Sequence, residues 1–178
     1  AEKIEAVARE HWIPLEGIEI LDYRECPQYD SFAEKLFQKR SRKGWTLAET
    51  KRLLLDPCLF GAMMVNEGVV DGQVHGIERH YPQAIRPVLQ AIPKTAGISK
   101  VSGVYLILIR NRILFFADAT VNVHPSPEDL AEIAILAAEA AQFYGVAPKV
   151  AMLSFSNFGS SSHSDVRQVQ KAVEICRE

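Results

Sequence analysis

Residues 149–175 read KVAMLSFSNFGSSSHSDVRQVQKAVEI, and this stretch decides the class of fold that the sequence predicts. An apolar run at residues 150–155 leads directly into a loop of small residues and then into an amphipathic segment. The pattern predicts a buried strand, a loop and a helix. Proteins of the α/β class commonly bind phosphate or another anion where such a loop meets a helix N-terminus. An ordinary turn between a strand and a helix has the same pattern, which by itself favours neither interpretation.

The composition is that of an ordinary soluble globular protein. The 178 residues are 48% hydrophobic and 24% charged, and their formal net charge is −2. A chain with this balance can bury a core, and it offers no basic surface for nucleic acid. No apolar run approaches the roughly 20 residues of a membrane-spanning helix, and no secretory signal is visible. We therefore expect neither a nucleic acid nor a membrane as a partner.

The cysteines and histidines indicate neither a disulfide framework nor a metal site. Cys26, Cys58 and Cys176 are odd in number, far apart and without a CxxC pair. The five histidines are scattered and form no HxxxH or HExxH pattern. This cysteine usage is typical of a reducing compartment, so we predict a cytoplasmic protein without a bound metal.

Helical and strand signals alternate along the chain, which is typical of an α/β fold. Capping residues mark helix starts, because Thr46 lies three positions before Glu49 and Ser126 lies directly before Pro127. We predict helices over residues 1–11, 29–40, 47–55, 57–67, 81–92 and 127–144, and a last helix that ends near residue 175. We predict strands over residues 18–21, 69–75, 101–109, 113–117 and 150–155.

The middle of the chain contains the clearest pair of strands. Residues 101–109 are rich in β-branched and aliphatic side chains, and a short polar connection separates them from residues 113–117. This spacing favours an antiparallel hairpin, which makes the predicted sheet mixed rather than purely parallel. The helix over residues 127–144 is apolar around most of its circumference, so we expect it to be buried between layers.

Four polar residues are candidates for a functional site. Asp118 follows the strand at residues 113–117 and lies four positions before Asn122. A carboxylate there can face a cleft, although binding local amides in a turn is its commoner role. Arg40 and Arg86 lie in helical segments, and an arginine fork suits phosphate, although most surface arginines bind nothing. No GxGxxG or GxxxxGK[ST] pattern is present, so the sequence supports neither a dinucleotide site nor a P-loop.

Several segments taken together resemble the phosphate acetyl/butyryl transferase family. They appear in the family's order, from about residue 30 to residue 175, as RSRKGWT, VVDGQVHG, AIRPVLQAI, FFADATVN, HPSPEDLAEIAILAAEAA and KVAMLSFSNFGSS. Each segment alone is weak, and the ordered set is specific. The spelling SNFGS, in place of the family's STxGS, is similar to the C-terminal phosphotransacetylase-like domain of bacterial NADP-dependent malic enzymes.

The resemblance implies a three-layer α/β/α fold with a mixed sheet, similar to that of isocitrate and isopropylmalate dehydrogenases. It also implies a cleft between two parts of the fold, where coenzyme A and an acyl phosphate bind. Arg40 and Arg86 match the family's arginines that help to bind the acyl phosphate. The complete set of binding residues that we expect is Arg40, Arg86, Asp118, Asn122, Ser154, Ser156, Asn157, Gly159 and Ser160.

The chain departs from the family pattern at both ends. The family's first strand–helix unit would lie before Ala1, and the segment with its DLSRG-like catalytic motif would follow the helix that contains Ile175. We therefore expect residues 1–178 to form a single incomplete domain, a fragment of a longer protein. Its catalytic residues are unknown, and we expect no transferase turnover from the fragment alone.

Three functions remain open at this point. The first is the regulatory domain of a bacterial malic enzyme, which binds acetyl-CoA and forms homo-oligomers. In that case NADP and a divalent metal belong only to a separate malic enzyme domain, and this segment holds no cofactor. The second is part of a true phosphate acyltransferase, which moves an acyl group between phosphate and coenzyme A. The third is an oligomerisation module without a ligand, against which the retained Arg40 and Arg86 argue mildly.

Overall fold

The computed structural model describes residues 2–157 and 160–177. The chain has the predicted α/β fold and divides into two compact units, Ala1–Pro93 and Lys94–Glu178. The first unit contains five α-helices among its described residues, and the second contains a β-hairpin followed by two α-helices. Within the described residues, no helix combines the length and the apolar character that crossing a membrane requires.

The helices of the first unit begin and end close to the predicted positions. They are α1 (Glu2–Glu10), α2 (Tyr29–Arg40), α3 (Leu47–Leu53), α4 (Pro57–Asn66) and α5 (Tyr81–Ala91), with a 3-10 turn at Ser41–Lys43. Local capping explains the agreement. Thr46 Oγ1 accepts a hydrogen bond from the Glu49 amide at 3.2 Å, and Asp56 Oδ1 accepts one from the Cys58 amide at 2.8 Å. Each cap satisfies a helix amide that otherwise has no partner.

The core of the first unit forms between α2 and α4. Leu36 and Met63 are completely buried, and Phe60 packs its ring against Phe32 with the ring centroids 5.4 Å apart. Burying a side chain of this size stabilises the fold by about 1.5–3 kcal/mol. Because α4 also packs against α5, this core places the C-terminal end of α2 and the C-terminal turn of α5 in the same region of the unit.

Two predicted strands of the first unit are not formed. Neither residues 18–21 nor residues 69–75 pair with another strand among the described residues. Val74 is fully exposed, and Ile18 is 58% exposed. An apolar pattern indicates side chains that favour burial. A strand, however, also needs a partner for its backbone amides and carbonyls, and the described residues do not supply one.

The predicted hairpin opens the second unit and is confirmed. Strand β1 (Val104–Ile109) pairs antiparallel with β2 (Arg112–Ala117), so that Val104 lies opposite Ala117 and Ile109 opposite Arg112. Arg110, in the two-residue turn, has a φ of 52°. The hairpin begins three residues later than predicted. Within the described residues the sheet consists of this hairpin, and its two strands are antiparallel.

Two helices complete the second unit, α6 (Pro127–Phe143) and α7 (Ser164–Ile175). Ser126 and Asp129 form a reciprocal capping box at the start of α6, with bonds of 3.0 and 3.1 Å. Helix α6 packs against both β2 and α7, but Ile135 is half exposed and Phe143 is 85% exposed. The expectation of burial around most of α6 is therefore wrong for the described structure. The hairpin and α7 cover only part of its circumference.

The strand predicted at residues 150–155 is also not formed. Val150, Leu153 and Phe155 are each more than half exposed. Residues 146–153 form one wall of a cavity of about 650 Å³, and residues 112–119 and the alanine-rich face of α6 form the others. Paired strands lie about 4.8 Å apart. The cavity lies between this segment and β2, and within the described residues the two do not pair.

Candidate functional site

Arg40 caps the C-terminal turn of α5. Its Nε atom donates a hydrogen bond to the Gln90 carbonyl at 2.9 Å, and Nη2 donates to the carbonyls of Leu89 and Gln90, both at 2.6 Å. The last carbonyls of a helix have no partner within the helix and carry partial negative charge. A cation that bonds to two of them therefore stabilises this helix end. In this structure Arg40 binds protein carbonyls through two of its three nitrogens.

Lys39 continues the same contact. Its Nζ atom donates to the Ala91 carbonyl at 3.1 Å and to Asn66 Oδ1 at 2.7 Å. Burial lowers the pKa of Lys39, and the carboxylate of Glu67 acts in the opposite direction. Two consecutive cations at the end of α2 thus bond to three consecutive carbonyls at the end of α5.

Arg86 lies on α5, four residues before Gln90. At a rise of about 1.5 Å per residue, the two positions are separated by about 6 Å along the helix axis. Pro87 and Ala91 form the buried side of this turn, whereas Arg86 is exposed. In the part of the chain that the structure describes, no acidic side chain forms an ion pair with Arg86. Arg40 therefore contacts the C-terminal turn of α5, and the exposed Arg86 lies in the middle of the same helix.

Asp118 organises the loop that follows β2. Its Oδ1 atom accepts hydrogen bonds from the amides of Thr120 at 3.0 Å and Val121 at 3.1 Å, and Oδ2 accepts one from the Asn122 amide at 2.8 Å. Burial alone raises the pKa of Asp118. The amide hydrogen bonds outweigh burial and lower that pKa to about 2, because they favour the charged carboxylate.

Asn122 belongs to the same loop. Its Nδ2 atom donates to Asp118 Oδ2 at 2.6 Å and to the Val101 carbonyl at 2.9 Å. Asp118 also accepts a longer bond of 3.3 Å from the Gly103 amide. The loop after β2 is therefore tied to the residues before β1. This geometry matches the turn-forming role of Asp118, and ligand binding by this pair stays a prediction.

The hydroxyl groups of the serine loop, described at residues 154–157 and 160–161, form hydrogen bonds within the loop. Ser154 Oγ accepts from the Ser156 amide at 3.2 Å and donates to the Ser156 carbonyl at 2.9 Å. Ser156 Oγ lies 3.0 Å from Ser160 Oγ and accepts from the Ser161 amide at 3.2 Å. The Ser160 amide donates to the Asn157 carbonyl at 3.0 Å.

The predicted serine-loop residues that the structure describes are therefore brought together. Gly159 lies outside the described residues. Ser154, Asn157 and Ser160 are exposed, and Ser156 is partly exposed. Any contact between this loop and a ligand stays a prediction.

The N-terminus of α7, which the sequence marked as a candidate anion site, has local partners. His163 is the N-cap, and its Nδ1 atom accepts a hydrogen bond from the Asp165 amide at 3.3 Å. The His163 ring packs edge-on against Phe155, with the centroids 5.5 Å apart. Because Asp165 also places a carboxylate in the first turn, this end of α7 already carries a negative group.

Further polar contacts are made by the VVDGQVHG segment (residues 69–76) and by Arg79, which follows it. Arg79 Nη1 donates to Asp56 Oδ2 at 2.6 Å, and Gln73 Nε2 donates to the Cys58 carbonyl at 3.1 Å. Gln73 Oε1 and His75 Nδ1 are buried atoms without a hydrogen-bond partner among the described residues. Burial raises the pKa of the Cys58 thiol. Across residues 2–157 and 160–177, no three metal-binding side chains converge as a metal site requires.

Comparison with known proteins decides the family. The model of the family described as Phosphate acetyl/butaryl transferase matches residues 1–178. The chain belongs to this family. Its sequence is 37% identical to the phosphate acetyltransferase of Nitratidesulfovibrio vulgaris over 166 residues, which are 93% of this chain and 24% of that protein. It is 35% identical to the phosphate acetyltransferase of Bacillus subtilis over 176 residues, which are 99% of this chain and 54% of that protein.

Solved phosphotransacetylases share the fold. The EutD phosphotransacetylase from Staphylococcus aureus matches with a TM-score of 0.84 and 31% identity, over 99% of this chain and 53% of that chain. A phosphotransacetylase from Streptococcus pyogenes matches with a TM-score of 0.85 and 34% identity, over 98% of this chain and 54% of that one. The chain thus spans between about a quarter and about half of the length of these proteins.

The resemblance inferred from the ordered motifs is confirmed at the level of the family. The relatives named above are phosphate acetyltransferases and phosphotransacetylases, so they support the transferase interpretation. The malic enzyme interpretation, which depended on the SNFGS spelling, gains no support from them. The transferase interpretation is therefore the better supported of the two.

The expected binding residues of this family member form three groups in the structure. Arg40 and Arg86 lie in the first unit. The pair of Asp118 and Asn122 and the serine loop lie in the second unit. That the groups line one cleft, as the family resemblance implies, stays a prediction.

Two contacting residues were not predicted from the sequence, Lys39 in the first unit and His163 in the second. Lys39 contacts a residue 52 positions away, so no local pattern indicates the contact. The position of Lys39 in the last turn of α2 was the one available signal of this contact, but many helices carry a cation there. His163 lies directly before the residues of α7, in a position that a capping analysis could have marked.

Proposed function

We propose that this chain is part of a phosphate acyltransferase, which moves an acyl group between phosphate and coenzyme A. The observation that carries the proposal is the match to the transferase family over residues 1–178. The exposed Arg86 supports it, because arginine suits phosphate better than any other cationic side chain. Since the chain spans only part of its relatives' length, the activity of the whole protein belongs to the proposal.

The reaction needs cationic groups near the phosphate. The sulfur of coenzyme A forms a bond to the carbonyl carbon of the acyl phosphate, and a base takes the thiol proton. The bond between that carbon and the phosphate oxygen then breaks, and phosphate leaves with the electron pair. A fixed cation stabilises the charge that develops on the leaving phosphate. We assign this binding role to Arg86 and leave the base unassigned.

The loops of the second unit are proposed to contact the coenzyme or the phosphate. The Asp118 turn holds the backbone of residues 119–122 in a fixed conformation, which pre-organises that loop. The hydroxyl groups of Ser154, Ser156 and Ser160 and the amide of Asn157 are suitable polar partners, and Gly159 permits close approach of the backbone. Within this proposal the ligands are acetyl-CoA or another acyl-CoA and an acyl phosphate, and no further cofactor is required.

The malic enzyme regulatory domain is the second candidate, and the SNFGS spelling at residues 156–160 favours it. In that case the domain binds acetyl-CoA as a regulator, and NADP and a divalent metal serve a separate part of the protein. A regulatory site acts through its different affinities for two states of the enzyme. Both candidates include a cytoplasmic location and a homo-oligomer, which we also propose.

Calorimetry together with an activity assay separates these functions. The protein, in the longest form that its gene encodes, is titrated with acetyl-CoA and with acetyl phosphate. It is then assayed for the formation of acetyl-CoA from acetyl phosphate. We expect binding of both ligands and turnover, and no turnover from residues 1–178 alone. Binding of acetyl-CoA without turnover would favour the regulatory candidate. The absence of heat with either ligand would contradict both and leave an oligomerisation module.

A further inference from the structure

The amine of Lys39 is held by two neutral acceptors. Its Nζ atom donates to Asn66 Oδ1 at 2.7 Å and to the Ala91 carbonyl at 3.1 Å. Within the described residues Lys39 forms no ion pair, whereas the ammonium groups of Lys35 and Lys51 each bond to a carboxylate. Lys39 is nevertheless an exposed residue. Its amine is therefore held in one position near the surface, without a bonded carboxylate that would favour its charged form.

The segment of chain around Lys39 is cationic. Arg42 and Lys43 lie in the exposed 3-10 turn that follows α2, and no acidic residue occurs between residues 35 and 48. A surface of one charge raises the local concentration of ions of the opposite charge, an effect that salt screens. An acyl phosphate is an anion, so this segment attracts it toward the Lys39 amine.

The surroundings of Lys39 also favour the neutral amine. Burial lowers the pKa of Lys39, and the charges of Arg40 and Lys35 act in the same direction, while the carboxylate of Glu67 opposes them. An amine attacks a carbonyl carbon through its lone pair, which the ammonium form lacks. The neutral amine still has two N–H groups, one for each of the two protein acceptors. Its lone pair is therefore left for an incoming electrophile.

We propose that Lys39 is a modification site, at which an acyl phosphate transfers its acyl group to the Nζ atom. The neutral amine forms a bond to the carbonyl carbon, the bond between that carbon and the phosphate oxygen breaks, and phosphate leaves with the electron pair. The nitrogen loses one proton to the solvent, so the products are an N-acyl lysine and inorganic phosphate. The inference rests on the proposed function for its acyl donor, which is the ligand proposed there.

Acylation changes how α2 contacts α4 and α5. The positive charge of Lys39 is lost, and the new amide nitrogen keeps a single N–H, so Asn66 Oδ1 and the Ala91 carbonyl cannot both keep their donor. The Ile92 amide belongs to the same peptide group as the Ala91 carbonyl and bonds to the Val88 carbonyl at 2.9 Å. We therefore expect acylation of Lys39 to accelerate hydrogen exchange of the Ile92 amide.

Timed labelling with isotopically labelled acetyl phosphate tests the inference on the protein in its longest encoded form. Peptide mass spectrometry follows the acetylation of each lysine. We expect Lys39 to react about tenfold faster than Lys3 and Lys149, which are exposed lysines outside the cationic segment. Lys43 is the matched control, because it is exposed and lies in the same segment. Lys39 should react about threefold faster than Lys43, since only the neutral amine reacts.

Two variants change the charge beside Lys39 in opposite directions. Glu67→Gln removes the carboxylate that favours the ammonium form, so acetylation of Lys39 should be about threefold faster. Asn66→Asp places a carboxylate at the present acceptor, so acetylation should be about tenfold slower. Neither variant should change the rate at Lys43. Each variant tests the inference alone, so a variant that does not fold leaves the other as the test.

Three results would overturn the inference. They are equal rates at Lys39 and Lys43, an unchanged rate at Lys39 in the folded variants, and labelling of Lys39 by acetyl-CoA but not by acetyl phosphate. The proposed function is measured separately, as turnover of acetyl phosphate. Turnover without selective labelling refutes this inference alone. Selective labelling in a protein that neither binds nor turns over acetyl phosphate refutes the proposed function, and Lys39 remains a modification site.

Discussion

The Asp118 carboxylate accepts hydrogen bonds from the amides of Thr120, Val121 and Asn122, which lie two, three and four residues further along the chain. Both carboxylate oxygens are used, and the Asn122 side chain adds a further donor at 2.6 Å. Asp118 was predicted to face a ligand. In the structure its carboxylate holds the conformation of the loop that follows β2. At the scale of single residues, the described contacts of Asp118 are those of a residue that shapes its own loop.

The Asp118→Asn variant tests this role through stability. In this variant an NH2 group replaces one carboxylate oxygen. The new donor then faces the donors of Asn122, with which the wild-type carboxylate forms hydrogen bonds. We expect the free energy of unfolding at pH 7 to fall by about 1–3 kcal/mol. Urea denaturation measures the difference. Asp71→Asn, which removes an exposed carboxylate, is the control and should change stability little.

The pH dependence of this difference has a definite sign. The folded-state pKa of Asp118, about 2, is lower than its ordinary value of 3.8. Its contribution is therefore fully present above pH 3.8 and is lost as the pH falls toward 2. The stabilities of wild type and Asp118→Asn should converge over that interval. A difference that is absent at pH 7, or that is undiminished at pH 2, would show that the carboxylate is not the cause.

Helix α6 shows what a local sequence signal can determine at the scale of an element. Ser126 Oγ accepts from the Asp129 amide at 3.1 Å, and Asp129 Oδ2 accepts from the Ser126 amide at 3.0 Å. Pro127 occupies the first helical position, where its missing amide hydrogen has no cost. The Lys100 ammonium lies 3.4 Å from Asp129 and adds a weak, partly exposed ion pair. Three residues thus define where α6 begins.

The Ser126→Ala variant should destabilise the protein by about 1 kcal/mol, because one amide of the first turn loses its acceptor and the capping box is broken. Ser126→Asn keeps an oxygen acceptor at the cap, so it should restore most of the loss. The midpoints of urea denaturation measure both changes. Equal destabilisation by alanine and asparagine would indicate that the hydroxyl serves packing instead of capping.

At the scale of the whole molecule, the chain exposes apolar surface on both faces of the hairpin. Tyr105 and Phe116 lie on one face, and Leu106 and Leu108 lie on the other. Phe116 is 52% exposed and Leu108 is 70% exposed. A strand that is apolar on both faces is typical of a sheet covered by layers on both sides. Exposed apolar patches and open strand edges also favour association.

We therefore expect the 178-residue chain to associate with itself as its concentration rises. Leu108→Lys and Phe116→Lys should each shift the protein toward the monomer, because a charge on the strand opposes close pairing. Sedimentation velocity across a concentration series measures the change. Gln142→Lys adds the same charge at an exposed position of α6 and is the control. A chain that stays monomeric at every concentration would contradict the expectation.

Much of the fold could be predicted because its signals are local. The caps at Thr46 and Ser126 act over three residues, and the turn at Arg110 joins adjacent strands. The predicted strands at residues 69–75 and 150–155 failed for the opposite reason. Their apolar pattern indicates a preference for burial, but pairing depends on a partner strand that the pattern does not specify.

The sequence by itself determined the helices, the hairpin and the family, because caps, turns and ordered motifs are properties of short stretches of chain. Only the tertiary structure decided what the candidate residues contact. Arg40 contacts a carbonyl 50 positions away, and the Asp118 carboxylate is used by its own loop. The hydrogen bond of Arg40 depends on how α2 and α5 pack, and packing is a property of the whole core.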